Sequence, residues 1–132
     1  MRLFGVEEAR KFVPFLMETF GRVRGYIDEA RTRTALLDAG VPNAKDGARL
    51  REEIEAYAVK IREALAGLED SGIEIKSVEG LVDFRATHEG RIVYLCWKYP
   101  EPTVEHWHEL DAGFAGRRTI EDPSEFTPSF LS

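Results

Sequence analysis

Residues 6–37 read VEEARKFVPFLMETFGRVRGYIDEARTRTALL, and this stretch decides the fold. Apolar and weakly polar side chains recur in it at alternating intervals of three and four residues, the heptad pattern of a helix that buries one face. The positions of this seam are Val6, Ala9, Val13, Leu16, Phe20, Val23, Ile27, Ala30, Thr34 and Leu37. The pattern predicts a long amphipathic helix, and Pro14 predicts a kink near residues 10–14 because it lacks the N–H that a helix interior uses. The alternative is that residues 6–13 form a short helix of their own, with Gly5 as its N-cap.

A second heptad run follows in residues 50–68. Between the two runs, Gly40 is suited to end a helix, and Pro42 stops that helix from continuing. The two helices are therefore expected to turn back on each other as an antiparallel hairpin over residues 5–71. The apolar positions of the second run are Leu50, Ile54, Tyr57, Ile61, Ala64 and Leu68.

The pattern changes from helical to alternating after Gly72, which predicts three strands at 73–76, 81–86 and 91–97. The last two are expected to form a hairpin around Gly90. A two-residue loop at 89–90 pairs Asp83 with Cys96, whereas a three-residue loop at 88–90 pairs Asp83 with Leu95. We favour the first loop, which brings Asp83 and Cys96 to one face. His88, among the turn residues, is expected to be exposed.

The predicted fold class is α+β, in one domain of 132 residues. A long antiparallel, coiled-coil-like hairpin of two helices precedes a small antiparallel sheet in a β-rich block at 72–118. An extended C-terminal arm follows at 119–132. The strand at 91–97 is apolar on both faces, so both faces of the sheet need a cover. We expect the hairpin on one face and the C-terminal segment or a second subunit on the other.

Charge and composition exclude several classes of partner. The net charge of −6 argues against binding to duplex nucleic acid. No apolar run approaches the roughly 20 residues that span a bilayer, so we expect no membrane insertion. The lone Cys96 cannot form an internal disulfide, which favours a reducing compartment, and we assign the cytoplasm.

Residue types found in metal and acid–base sites gather between residues 83 and 117. The spacing of the two neighbouring histidines is not specific for a metal. We therefore favour a polar network, in which His108 bonds a carboxylate such as Asp83 or Asp111, over a metal site or catalysis. We expect no cofactor, with zinc or another divalent metal as the alternative. The candidate ligands of that metal are Asp83, Cys96, His106, His108 and Asp111.

Arg117 follows a glycine-bracketed turn at 113–116 and is a candidate anion-binding residue. The turn lacks the Lys-Ser/Thr of a phosphate-binding loop, so a nucleotide triphosphate site is not supported. We favour an ion pair between Arg117 and a local acid such as Asp111 or Glu109. We also expect a structural cluster in which polar and aromatic side chains support the β-rich block. Its members are Trp97, Trp107, His108, Asp111 and Arg117.

Several motifs of this chain together carry a resemblance to a known family. They are Val-Glu-Glu-Ala at 6–9 with Pro14, Gly-Leu-Val-Asp-Phe at 80–84, Val-Tyr-Leu-Cys-Trp-Lys at 93–98 and Trp-His-Glu-Leu-Asp-Ala-Gly-Phe-Ala-Gly-Arg at 107–117. The chain resembles an uncharacterised bacterial family, domain of unknown function 2203. The resemblance implies a helical hairpin followed by a β-rich block, and it implies no activity.

The chain departs from that family's pattern at three positions. Arg85 stands where proline is usual, and Pro100 precedes Glu101 where glycine is usual. His106 occupies a position that is more often aromatic. This last departure weakens any metal site that needs both His106 and His108.

The function that we predict is a non-enzymatic structural or interaction module that self-associates through its helices as a homodimer. A two-helix hairpin leaves Phe12, Phe15, Leu36 and Leu65 off its seam, on surface that a partner would cover. The alternative is a small metal- or anion-binding protein, a hydrolytic one included. That alternative uses Asp83, Cys96, His108, Asp111 and Arg117.

Overall fold

The structure is a computed structural model that describes residues 1–127. It confirms the predicted α+β class, with two long packed helices ahead of an antiparallel sheet. Helix α1 spans Val6–Lys11, α2 spans Val13–Ala39 and α3 spans Ala44–Asp70. The part of the predicted C-terminal arm at 128–132 lies outside the described residues.

The helix ends follow local chemistry. Pro14 lies in the first turn of α2, where a missing N–H costs little, so the chain starts a new helix at Val13 instead of kinking one long helix. Gly40 ends α2 with φ of 97°, a conformation that glycine adopts without strain. The Asn43 side chain accepts a hydrogen bond from the backbone N–H of Asp46 at 2.9 Å, which caps α3.

The sheet has five strands, all antiparallel, and their spatial order equals their chain order. The three predicted strands are present. The two strands that the sequence did not predict are short, which left their alternation too brief to detect. The strands are β1 (Glu74–Ser77), β2 (Leu81–His88), β3 (Arg91–Lys98), β4 (His106–Glu109) and β5 (Arg118–Thr119).

The β2–β3 turn uses the two-residue loop that we favoured. Glu89 and Gly90 have φ of 51° and 78°, the pair of positive angles of a type I′ turn. This turn sets Asp83 opposite Cys96. The register prediction is confirmed, and Asp83, Tyr94 and Cys96 share one face.

The other face of the sheet carries the core and packs against the helices. Phe84 of β2 contacts Phe4 edge-on, with ring centroids 5.2 Å apart, and Trp97 of β3 lies 6.1 Å from Phe20 of α2. Phe126, in a short 3₁₀ turn at Pro123–Phe126, is buried on this same face. The described part of the predicted arm, residues 119–127, therefore does not cover the opposite face, and it contains a packed turn.

The opposite face, which carries Asp83 and Cys96, is partly covered by the segment at 110–117. The Phe114 ring of this segment lies 5.1 Å from the Lys98 ammonium and 4.8 Å from the Arg117 guanidinium. This segment belongs to the β-rich block itself. The cover that we expected from the C-terminal segment or a second subunit thus comes, over this part of the face, from the chain between β4 and β5.

Three residues expected at the surface pack inward. His88 is 8% exposed because it continues the inward-facing positions of β2, where it stacks on Phe126. Leu65 is buried, and Phe12 packs against the core. Phe15 and Leu36 are exposed as expected. Within residues 1–127, no helix combines the length and the apolar character that a membrane crossing needs.

Candidate functional site

Three neighbouring strands bring Asp83, Cys96 and His108 together, and we refer to these side chains as the Asp–Cys–His cluster. Asp83 of β2 lies opposite Cys96 of β3. His108 of β4 lies opposite Tyr94, which is two residues before Cys96 on β3 and on the same face of the sheet. A carboxylate oxygen, the sulfur and a ring nitrogen all lie within 4.8 Å of one another. The three residues are 3%, 0% and 2% exposed. The cluster is therefore a buried group of three potential metal ligands.

Two hydrogen bonds fix the orientation of the His108 ring. Nδ1 lies 2.7 Å from the backbone carbonyl oxygen of Glu109, and since a carbonyl can only accept, Nδ1 carries a hydrogen and donates it. Nε2 lies 3.1 Å from Oδ1 of Asp83. This second contact is a hydrogen bond when either the ring nitrogen or the carboxyl oxygen carries the hydrogen.

Burial controls the protonation of the other two members. It raises the pKa of the Asp83 carboxyl above its ordinary value, although His108 and Cys96 act in the opposite direction. Burial and the neighbouring Asp83 raise the pKa of the Cys96 thiol to about 12. The thiol is therefore protonated at neutral pH. A nearby positive charge would stabilise the ionised forms of both the thiol and the carboxyl group.

The cluster lines a cavity of about 200 Å³ between the sheet and the segment at 110–117. Leu81, Leu110 and Phe114 give this cavity an apolar wall, and Lys76 gives it one cationic side chain. Because Leu110 and Phe114 are both more than 40% exposed, the cavity lies close to the surface. It offers room for a water molecule or a small ligand beside the three side chains.

Glu74 organises the next part of this face, and sequence reasoning missed it. Its carboxylate accepts hydrogen bonds from Tyr94 Oη at 2.8 Å, Arg85 Nε at 2.6 Å and Lys76 Nζ at 3.2 Å. Burial alone would raise the pKa of Glu74, but these three donors lower it below its ordinary value. The sequence signal for Glu74 was its place between Ile73 and Ile75 in an alternating run, and the structure shows that it pairs with Asp83.

The other two candidate metal ligands do not join the Asp–Cys–His cluster. His106 shares the face of His108, as expected for an extended segment, but its Nδ1 is directed toward Glu101, 3.8 Å from Oε2. Asp111 is exposed in the turn after β4. Within residues 1–127, the group of converging ligand atoms contains neither of them.

Arg117 pairs with Glu101, whereas we expected Asp111 or Glu109. Its Nη2 donates to Glu101 Oε1 at 2.6 Å and to the Cys96 carbonyl oxygen at 3.3 Å. Burial alone would raise the pKa of Glu101, but Arg117 and the Lys98 N–H lower it. Glu109 instead pairs with Arg91. The ion pair with a local acid that we favoured for Arg117 is thus present, with Glu101 as the acid, and Arg117 also contacts the backbone of Cys96.

Both tryptophans lie on the opposite side of the sheet from His108. Trp97 is buried, and its Nε1 donates to the Glu101 carbonyl oxygen at 2.9 Å. Trp107 is buried beside His88, with ring centroids 4.5 Å apart. Because successive side chains of a strand point to opposite faces, Trp107 and His108 cannot share a cluster. The structure therefore divides the five residues that we expected to form one structural cluster.

Comparison with known proteins gives a family and no activity. The model of a family described as an uncharacterized conserved protein, DUF2203, matches residues 2–120. Searches of curated proteins and of solved structures found no match. The match covers most of the chain and includes the helical hairpin, all five strands and the whole Asp–Cys–His cluster. The chain belongs to the DUF2203 family, as its motifs had indicated.

Proposed function

We propose that this protein binds a divalent transition metal, with zinc as the first candidate, through the Asp–Cys–His cluster. The observation that carries the proposal is the convergence of a carboxylate, a thiol and an imidazole on one buried point. These are the donor types that zinc uses in proteins. Zinc bonds of about 2.0–2.3 Å require tetrahedral ligand atoms about 3.3–3.8 Å apart. Small side-chain movements would bring the three atoms, now within 4.8 Å, to that spacing.

The orientation of His108 supports the same conclusion. In metal sites, a ligating histidine usually donates its second ring N–H to a carboxylate or a backbone carbonyl, which fixes the ring and its tautomer. Here the Glu109 carbonyl takes that role at 2.7 Å from Nδ1. Nε2 is thereby directed to the other members of the cluster, as a ligand nitrogen would be.

The protonation of Cys96 argues against a cysteine nucleophile. A reactive thiol needs a lowered pKa and a basic partner, but burial raises the pKa of Cys96 to about 12. Both nitrogens of His108 are already engaged, by Glu109 and by Asp83. A dication would instead stabilise the thiolate and the carboxylate together. Three protein ligands leave one tetrahedral position for water, the arrangement of catalytic zinc, so hydrolysis is the reaction class that such a site would serve.

Metal titration of the untagged, chelator-treated protein tests this proposal. We expect one zinc ion per chain, and a thiolate-to-metal absorption band when cobalt replaces zinc. Cys96→Ser, His108→Ala and Asp83→Ala should each weaken zinc binding by more than roughly 10–100-fold, which is the loss typical when a residue that hydrogen-bonds a metal ligand is replaced. Circular dichroism of each variant checks that the fold persists.

The matched controls are His106→Ala and Asp111→Ala. Both residues are candidate ligands that lie outside the cluster, so both variants should keep full zinc affinity. Absence of zinc and cobalt binding by the folded wild type would contradict the proposal. Equal losses in the controls and the cluster variants would also contradict it, since zinc would then be held elsewhere.

A second proposed function is self-association through the helices, as a coiled-coil-like homodimer. Phe15 is 43% and Leu36 52% exposed on α2, and the seam of this helix is fully buried only between Val13 and Val23. Large apolar side chains left on a helix surface favour a protein partner. Light scattering at micromolar concentration should return twice the monomer mass. A monomer at every concentration would contradict this function.

We further propose that the protein works in the cytoplasm. The support is the free, buried Cys96, the sole cysteine of the chain. A thiol metal ligand and the absence of any disulfide partner both suit a reducing compartment.

A further inference from the structure

We infer that α2 carries a self-complementary surface, which pairs antiparallel with the same surface of a second copy of the chain. The inference rests on the proposed self-association and specifies how the two copies meet. The surface, referred to below as the α2 stripe, consists of Phe15, Glu18, Arg22, Glu29, Arg33 and Leu36.

The α2 stripe faces away from the core. At about 100° per residue, its six positions fall within about 60° of one another around the helix and about 120° from the seam that contains Leu16 and Val23. Five of the six residues are exposed. Arg33 is partly buried because its guanidinium also reaches α3, where it pairs with Glu53 at 2.9 Å and lies over the Tyr57 ring. Phe15 and Leu36 lie 21 positions apart, three heptads, so they occupy the same side near the two ends of α2, about 31 Å apart.

When two copies of the α2 stripe are placed side by side in opposite directions, apolar residues meet apolar residues and acidic residues meet basic ones. When two copies of α2 run antiparallel about an axis between Gly25 and Tyr26, Phe15 faces Leu36 of the second copy. In the same register, Arg22 faces Glu29, and each of these pairs occurs twice by symmetry. Glu18 likewise faces Arg33. Every position of the stripe thus meets a side chain of matching character, and a parallel arrangement would instead set like charges against each other.

The centre of the α2 stripe allows close approach. Gly25 is exposed at the proposed axis, and a Cβ atom built there meets nothing within 4 Å. A glycine costs helix stability in the middle of a long helix, roughly 0.5–1 kcal/mol relative to alanine. Its absence of a side chain lets the two helices approach where they cross.

Each charged pair across the axis would join an ion pair that already exists within one helix. Arg22 lies 3.9 Å from Glu18, and Arg33 lies 2.7 Å from Glu29. Exposed pairs of this kind contribute little alone, but networks of several charges contribute more. Association extends two helical pairs into a four-charge cluster on each side of the axis, which fixes the register of the dimer.

Charge reversal tests this arrangement by sedimentation velocity. Arg22→Glu and Glu29→Arg should each weaken dimerisation by about tenfold or more, because like charges then face each other twice. The double variant should regain the wild-type dimer. An equimolar mixture of the two single variants should form a heterodimer, since glutamates of one chain then face arginines of the other.

The control is Arg62→Glu, which reverses an exposed arginine on α3 that also pairs within its helix, with Glu55. This variant should dimerise as the wild type does. A wild-type monomer at all concentrations would contradict self-association itself. A dimer that neither single charge reversal weakens would contradict the α2 stripe while leaving self-association intact. The stripe would also be contradicted if the two single variants, once mixed, did not form a heterodimer.

Discussion

His108 is the residue whose loss should reveal the cluster most directly in the metal-free protein. His108→Ala leaves the buried Asp83 carboxyl without its partner, and an unsatisfied buried polar group costs roughly 1–3 kcal/mol. Urea denaturation should therefore show a loss of stability in that range. Asp111→Ala is the control, because an exposed side chain contributes within about 0.5 kcal/mol. Equal losses in the two variants would mean that Asp111 belongs to the same structural unit after all.

Zinc binding should release protons. At neutral pH the buried Cys96 thiol is protonated, since its pKa is about 12. Because a metal binds the thiolate, the thiol proton should leave when zinc binds, and the apparent association constant should rise with pH. Proton release in weak buffer measures this directly, and Cys96→Ser should release about one proton fewer per zinc ion. Binding without proton release would show that the cluster is not the ligand set.

The members of the cluster could be predicted where alternation and register were enough. Asp83 and Cys96 followed from a two-residue turn, and His108 was selected for its chemistry. The partner of Arg117 could not be predicted, because Glu101 lies in the irregular segment between β3 and β4. His88 was wrongly expected at the surface because we gave more weight to its place near the turn. Its position two residues after the inward-facing Ala86 predicts that it faces the core.

At the level of elements, the turn between β1 and β2 depends on Gly80. Its φ of 120° is strained for other residues, and a Cβ atom there would collide with Cβ of Tyr99. Gly80→Ala should therefore destabilise the protein by roughly 1–3 kcal/mol or more in urea denaturation. Gly67→Ala in α3 is the matched control, because it meets nothing within 4 Å and should stabilise by about 0.5–1 kcal/mol. Similar effects in both would contradict the strain at Gly80.

The helical hairpin was the most predictable element, because its heptad pattern runs over many turns. Short strands lack that redundancy. β4 has four residues and β5 has two, so β4 depends on its pairing with β3, and β5 on its pairing with β4, rather than on a pattern of their own. Pro14 was read correctly as an interruption, but whether a proline kinks a helix or begins a new one depends on where α1 packs.

For the molecule as a whole, stability should decline along the hairpin away from the sheet. The buried residues of α2 all lie between Val13 and Val23, and residues 24–39 bury none of their side chains fully. Native-state hydrogen exchange at high dilution should therefore show faster exchange in residues 28–39 than in β2 and β3. Equal protection in the two regions would show that the far half of the hairpin is covered or stabilised in a way that this prediction omits.

The sequential order of the sheet has a consequence for how the chain folds. α2 pairs with α3, and each strand pairs with the next along the chain, so short loops close the helix–helix pairing and every strand pairing of the sheet. Short closures cost little entropy, and such topologies fold quickly. The segment before α1 is an exception, because the Phe4 N–H donates to the Arg85 carbonyl oxygen at 2.7 Å across most of the chain. The hairpin can thus form while the sheet is still being synthesised, whereas the segment around Phe4 reaches its native contacts only after β2 has been made.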